Sequence, residues 1–319
     1  MTCTFKRGIP LASCLMNISE AREKDIVARV ARAALEINKD GSNNELPEPL
    51  RLKASVLNIF SDYDYNRSVI TIVAPLQFIG RSVLSACYKA CELINFTEQC
   101  GVHPRLGIVD LIPIQPLTPE VTLEECGDVA RDIAFSLTKN IPGTSVFLFG
   151  HADKPLHRSL VERRKNLKWY KGAKNFDFSK ITSDIGVNPS ASYGITGIGA
   201  HPYVMNCNVT VDTNNVNTGQ EIAKAIRASS AGGLPGVQAM AFPHEGKVEI
   251  ACNVEMVLNT EYNKNILEKM EVIDSVMESQ GFYVSPEGIE NRVKKEASKF
   301  EIGVIGTAVV GLLLIKLIK

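Results

Sequence analysis

Residues 100–113, CGVHPRLGIVDLIP, place one histidine between a glycine-valine pair and a proline, with an arginine close behind and an apolar run beyond. A proline disfavours helical geometry at the residue before it. His103 therefore stands in a turn at the mouth of a strand. A neutral imidazole near its ordinary pKa can take or give a proton at working pH. Arg105 carries the planar fork that grips a carboxylate at two points. The same turn would also serve a histidine that only satisfies backbone groups. Cys100 precedes His103 by three residues, so a thiol nucleophile with a histidine base is a further arrangement.

Two other stretches could complete such a site. SDYDYNRSV (61–69) sets Asp62, Asp64, Asn66 and Arg67 at a connection between strands. Asp and Asn are common there because they make turns. Their chemical reading is an acidic group that orients an imidazole or a substrate amine. GVNPSASYGITGIGAHP (186–202) offers Gly186, Gly194, Gly197 and Gly199 for close backbone approach, hydroxyls on Ser190, Ser192 and Thr196, and Tyr193 to stack on a planar ring. A plain linker is the alternative. GITGIG has the wrong glycine order for a dinucleotide fingerprint. No metal is expected, since His151 and His157 are six apart, His201 and His244 stand alone, and none has a partner at zinc-ligand spacing.

The elements that must position these residues alternate. The spacing predicts a strand at 11–16 and a helix capped by Ser19. Strands SVLNIF and SVITIVA, a helix over about 76–95 and a strand LGIVDLIPI follow. A helix over about 120–138, a strand TSVFLFG and a basic helix HRSLVERRKNLKWYK extend this half. Residues 173–200 break the rhythm and read as a long functional loop. The pattern then restarts: strand YVMNCNVTV, helix TGQEIAKAIRAS, strands GVQAMAF and KVEIACNVE, a helix over about 260–280, and a short strand near FYV to close the set. Each half reads β-α-β-β-α-β. The expected fold class is α/β (α+β): two ferredoxin-like sandwiches with a ligand cleft between them.

The chain of 319 residues is 45% apolar and 22% charged, which suits a packed globular protein. Lys plus Arg and Asp plus Glu are 35 each, so no electrostatic footprint for nucleic acid exists. Eight scattered cysteines with no C-x-x-C pair read as free thiols in a reducing compartment. No secretory signal is read at the start. Residues 302–318, IGVIGTAVVGLLLIKLI, form an apolar stretch broken only by Lys316. It reads as an apolar helix, either packed in a core or anchoring the chain to a membrane.

LMNISEA, DYDYNRSVIT, GVHPRLGIVDLIPI, VFLFG, YGITGIGAHPYVMNCNV and EIAKAIR together resemble, in order and spacing, the formiminotransferase domain. That domain is the glutamate formimidoyltransferase half of formimidoyltransferase-cyclodeaminase. The resemblance covers residues 11–300 and leaves no length for a cyclodeaminase domain. It implies an N-terminal subdomain (1–180), a C-terminal subdomain (181–300) and a tail (301–319). It implies an enzyme of histidine catabolism and one-carbon metabolism that moves a formimidoyl group from N-formimidoyl-L-glutamate to tetrahydrofolate as co-substrate. The catalytic histidine falls on His103 and its acidic partner on Asp62. Arg67 and Arg105 are the candidates for substrate carboxylates, and Asn66 is a further substrate-binding candidate. The folate loop falls on Gly186, Asn188, Ser190, Ser192, Tyr193 and Gly194. Relatives often form homodimers. Val102 stands where the family commonly has an acidic residue, Ala21 replaces a glycine, and the folate loop is shorter. These departures keep a second reading open: a folate-binding or scaffolding protein without turnover, tethered by its tail. The expected location is the cytoplasm, either free or attached to a membrane facing the cytosol.

Overall fold

A computed structural model describes residues 8–38, 54–98, 100–168, 178, 181–258, 275–277 and 281–310. The chain divides into two compact units, 1–201 and 202–319.

In the first unit the order is β1 (Leu11–Ile18), α1 (Lys24–Ala33), β2 (Ser55–Asp62), β3 (Arg67–Pro75), α2 (Leu76–Leu93), β4 (Val109–Pro116), α3 (Leu123–Asn140), β5 (Ser145–Gly150), α4 (Leu160–Asn166), β6 (Ile185–Gly186) and β7 (Thr196–Ala200). Its seven strands form one sheet in the order β2-β3-β1-β4-β7-β5-β6. The strands β2, β3, β1 and β4 pair antiparallel with one another in that order, and β7 runs parallel to β4 and β5.

Side chains alternate along a strand, and the first unit uses both faces. Ala12, Cys14, Met16 and Ile18 of β1, with Ile70 and Ile72 of β3 and Ile112 and Ile114 of β4, join the core under the helices. There α2 contributes Ile79, Val83, Ala86, Cys87 and Ala90, one helical stripe. The opposite face carries Ser13, Asn17, Thr71 and Gln115, all buried. On that same side Leu106, Leu111, Phe147, Phe149, Ile181 and Ile195 cluster, with Leu160 and Leu167 from around α4 packed on them.

Two expectations are corrected here. Ser19 does not cap α1; its Oγ donates to the Gly107 carbonyl at 2.7 Å. Glu20 organises the helix entry instead, its Oε1 accepting the backbone N–H groups of Ala21, Arg22 and Glu23 at 2.8–3.0 Å. Residues 196–200 are not loop but the buried central strand β7. Its glycines make room for neighbours: a Cβ on Gly197 would lie 2.5 Å from Phe147 Cζ, and one on Gly199 2.6 Å from the Phe149 ring.

The second unit runs β8 (Val204–Val211), α5 (Val216–Ile226), β9 (Val237–His244), β10 (Lys247–Glu255), β11 (Val257–Leu258), β12 (Ser275–Met277), β13 (Gly281–Val284), α6 (Pro286–Ser298) and β14 (Val304–Val309). One sheet has the order β14-β8-β10-β9 and a smaller one β11-β13-β12. Met205, Cys207, Val209 and Val211 of β8 are buried in alternation, as a half-covered strand requires. Ser285 caps α6, its Oγ accepting from the Gly288 amide at 2.9 Å, with Pro286 at the first helical position.

The FYV segment does not close the main sheet; as β13 it pairs with β11 and β12. The closing strand is β14, antiparallel to β8. The expected apolar helix is therefore corrected over 304–309. Val304, Ile305, Thr307 and Val309 are β-branched, which favours a strand over a helix. Residues 311–319 and most of the helix expected over 260–280 lie outside the described residues. Among the described residues, no helix is long and apolar enough to cross a membrane.

Candidate functional site

His103 follows α2 on an irregular segment that leads into β4. The backbone is drawn close there: a Cβ on Gly101 would lie 2.2 Å from the Tyr65 carbonyl oxygen, so only glycine fits that crossing. His103 Nδ1 lies 2.7 Å from the Pro104 carbonyl oxygen and 3.2 Å from Arg67 Nη1. A carbonyl can only accept, so the shorter contact assigns the proton to Nδ1 and the lone pair to Nε2. The Tyr65 ring flanks the imidazole, centroids 5.0 Å apart.

Arg67 is the first residue of β3 and is clamped. Asn17 Oδ1 accepts from Arg67 Nε at 3.1 Å and Nη2 at 2.8 Å. Asp110 Oδ2 lies 2.9 Å from Arg67 Nη1, in a pair whose side chains are 12% and 2% exposed. That contact is an ion pair by distance without hydrogen-bond alignment at Oδ2. Asp110 reaches this face because β4 is irregular here: Asn17 pairs with Leu111 but Ile18 with Val109, leaving Asp110 as the extra residue. Bulges commonly re-aim one side chain in this way. Asp110 Oδ1 also accepts from the Leu106 amide at 2.8 Å, tying the carboxylate to the histidine segment.

The remaining expected residues take distinct places. Asp62 ends β2, and its Oδ1 accepts from the Tyr65 amide at 2.8 Å, so it shapes the turn that carries the flanking ring. Asn66 adopts φ +49°, a left-handed setting Asn tolerates, and its Oδ1 accepts from the Ala21 amide at 2.9 Å. Arg105 is buried, with Nη1 donating to the Tyr65 and Asn66 carbonyls at 3.4 and 3.3 Å. It is engaged with the turn at 65–66.

The glycine-rich segment packs directly behind the histidine segment. Ile108 N donates to the Tyr193 carbonyl at 3.0 Å and Ile195 N to the Leu106 carbonyl at 2.7 Å. Gly194, at φ +70°, is where a Cβ would fall 1.9 Å from the Leu106 carbonyl oxygen. Ser190 accepts from the Gly194 amide at 2.7 Å, closing the small loop 190–194. Tyr193 packs on the helix-side core. Asn188 and Ser192 are exposed, and Gly186 sits in β6 at φ +92°.

Spacing alone did not single out Asn17, Asp110 or Arg164. A charged residue inside the apolar run GIVDLIPI was the one signal for Asp110. Arg164, on α4, is near enough for its charge to act on His103. Burial, then the Arg67 charge, hold the imidazole well below its ordinary 6.5, with Arg164 and Arg105 adding to the effect and the Pro104 carbonyl opposing it. His103 is thus a neutral base at pH 7 beside several guanidiniums, a setting that favours an anionic ligand.

This has a consequence for stability. Below about pH 6.5 the unfolded chain protonates His103 while the folded chain resists. The unfolded state then holds more protons, so stability falls as pH drops through that window. Urea unfolding between about pH 5 and 7 reads the slope, and His103→Gln makes it shallower. An unchanged slope in the variant would mean that other groups carry it.

Comparison with known proteins places this architecture. The N-terminal subdomain of the formiminotransferase domain matches residues 11–201. A formiminotransferase cyclodeaminase-like protein of Arabidopsis thaliana is 28% identical over 301 residues, covering 88% of this chain and 96% of that protein. Glutamate formimidoyltransferase of Thermoplasma acidophilum is 30% identical over 248 residues, 76% of each chain. The enzyme of that name from Streptococcus pyogenes serotype M1 is 27% identical over 227 residues, 70% of this chain and 69% of its own. The family match opens on the first residue of β1 and ends just past β7, so it takes in the whole sheet on which His103, Arg67 and Asp110 are mounted. The chain belongs to the formiminotransferase domain family.

Proposed function

We propose that this protein transfers a formimidoyl group from N-formimidoyl-L-glutamate to tetrahydrofolate, with His103 as the general acid and base. The observation that carries the proposal is the imidazole itself. Its Nδ1 faces the Pro104 carbonyl at 2.7 Å, which keeps the lone pair on Nε2. The names of the relatives supply the transfer reaction, and the family implies the folate co-substrate.

The folate nitrogen attacks the formimidoyl carbon, giving a tetrahedral intermediate. One proton leaves that nitrogen and one must reach the departing glutamate amine. A neutral imidazole with its pKa held down accepts the first and delivers it to the second. Arg67 keeps the resting ring neutral, and Arg164 is the guanidinium we assign to a substrate carboxylate. Asp62 acts through the Tyr65 turn, as a positioning residue. Arg105 does the same through the carbonyls of residues 65 and 66. The loop 186–194 is assigned to folate, supported by its packing behind residues 106–108.

The strand orders support the ferredoxin-like reading of both halves. β2-β3-β1-β4 and β9-β10-β8-β14 are the same permutation of a split βαβ unit, with α1 and α2, or α5 and α6, as the intervening helices.

The test uses the full chain, because β14 belongs to the second sheet. Formimidoylglutamate and tetrahydrofolate are mixed with it and 5-formimidoyltetrahydrofolate is followed. Product that requires both substrates supports the proposal. Folate bound without product would assign the chain to binding alone.

A further inference from the structure

We propose that Glu124, His151 and His157 form a binding site for one divalent transition-metal ion of the zinc class. One ligand atom from each lies within 4.8 Å of the others. Glu124 Oε1 is 2.8 Å from His151 Nδ1, and the two imidazole rings stand edge to face with centroids 5.3 Å apart. An ion held at about 2.0–2.2 Å from each donor would replace the proton shared by that pair. Two imidazoles and one carboxylate suit zinc, copper or nickel, whereas magnesium and calcium take oxygen donors. Three protein ligands would leave a fourth position to water.

The scaffold beneath the three side chains is built. Glu124 sits in the first turn of α3, which Thr122 and Glu125 fasten with a reciprocal capping box. His151 follows β5 directly. Its carbonyl is pressed onto α3, where a Cβ on Gly127 would lie 2.5 Å from it, and it accepts from Arg131 Nη1 at 3.0 Å. His157 is turned back toward His151 by a closed loop. Its N–H donates to the Asp153 carbonyl at 2.5 Å, and it adopts φ +49°. The Asp153 carboxylate accepts from Arg158 Nε and Nη2 at 2.7 and 2.9 Å. The Gly150 amide donates to the Arg158 carbonyl at 2.8 Å. Lys154 Nζ holds the other carboxylate oxygen, Glu124 Oε2, at 2.8 Å, which leaves Oε1 aimed at the histidines.

Lys154 and the positive end of α3 both oppose a cation. The site is therefore weaker than a buried structural zinc centre. An ion there would brace the loop that leads into α4, and so the segment that carries Arg164.

The test uses full-length, untagged protein stripped with a chelator, then titrated with Zn²⁺ by calorimetry and with Co²⁺ by visible absorption. One ion per chain is expected, with a cobalt spectrum lacking thiolate charge transfer. The double variant His151→Asn/His157→Asn should lose affinity by more than about 100-fold. Glu124→Gln, at an exposed carboxylate, should weaken binding too and guards against misfolding of the double variant. Cys100→Ser controls for the exposed thiol among the described cysteines and should change nothing. No binding to the unaltered chain, wild-type affinity in both ligand variants, or binding abolished in Cys100→Ser would each overturn the proposal.

Discussion

With His103 replaced by alanine, formimidoyl transfer falls by about 10²- to 10⁴-fold, while tetrahydrofolate binding and the thermal midpoint stay near the wild-type values. The range is what a positioned proton-transfer group contributes. The fold should tolerate the change because His103 lies outside the two hydrophobic clusters that hold the first unit together. Truncation also removes a ring that desolvation holds neutral, so no buried charge is left behind. Single-turnover measurement with folate saturating separates chemistry from binding. Turnover within a few-fold of wild type would take His103 out of the mechanism and leave the turn as structure.

Arg67→Met should have the largest effect on stability, about 3–5 kcal/mol. The cost comes from what remains. Asp110 is 2% exposed, and its Oδ2 has the Arg67 guanidinium at 2.9 Å as its counter-charge. Take that away and a buried carboxylate loses its contact ion pair, keeping the Leu106 amide and the more distant charge of Arg105. Asn17 loses two donors as well. Urea unfolding reads the loss, and Arg67→Met/Asp110→Asn should recover a good part of it, because an amide oxygen can still accept from Leu106. A second readout belongs to the same substitution. Arg67 holds the His103 pKa down, so its removal moves that pKa up toward 6.5. The acid limb of any pH–rate profile should shift upward. A stability loss below about 1 kcal/mol would mean the pair behaves like a surface ion pair.

Much of this was legible in the sequence, for identifiable reasons. β1 to β5 announce themselves as apolar runs, and α2 and α3 by helical spacing. The turn at His103 follows from Pro104 alone. β7 was hidden because its alternation is glycine rather than aliphatic: Gly197 and Gly199 accept rings from β5, and a strand that supplies space has no hydrophobic signature. Asp110 was hidden because a bulge, which no spacing rule shows, turns it toward Arg67. Glu124 lies 27 residues from His151, so a search for ligands at short spacing passes over it. The Ser19 cap failed because Glu20 gathers the same backbone donors from one residue further on. Arg105 also donates from Nη1 to two backbone carbonyls, a partnership that spacing does not show.

The closing strand of the second unit sets a choice on the end of the chain. Residues 304–309 pair with β8 from Val211 to Cys207. Were that stretch drawn into a bilayer, β8 would keep β10 but lose its outer partner and show an unpaired row of amides and carbonyls, the kind of edge that recruits other chains. A membrane span over 302–318 would therefore draw on the same backbone, 304–309, that completes this sheet. Any such insertion would have to be measured as a loss of β14 from the sheet.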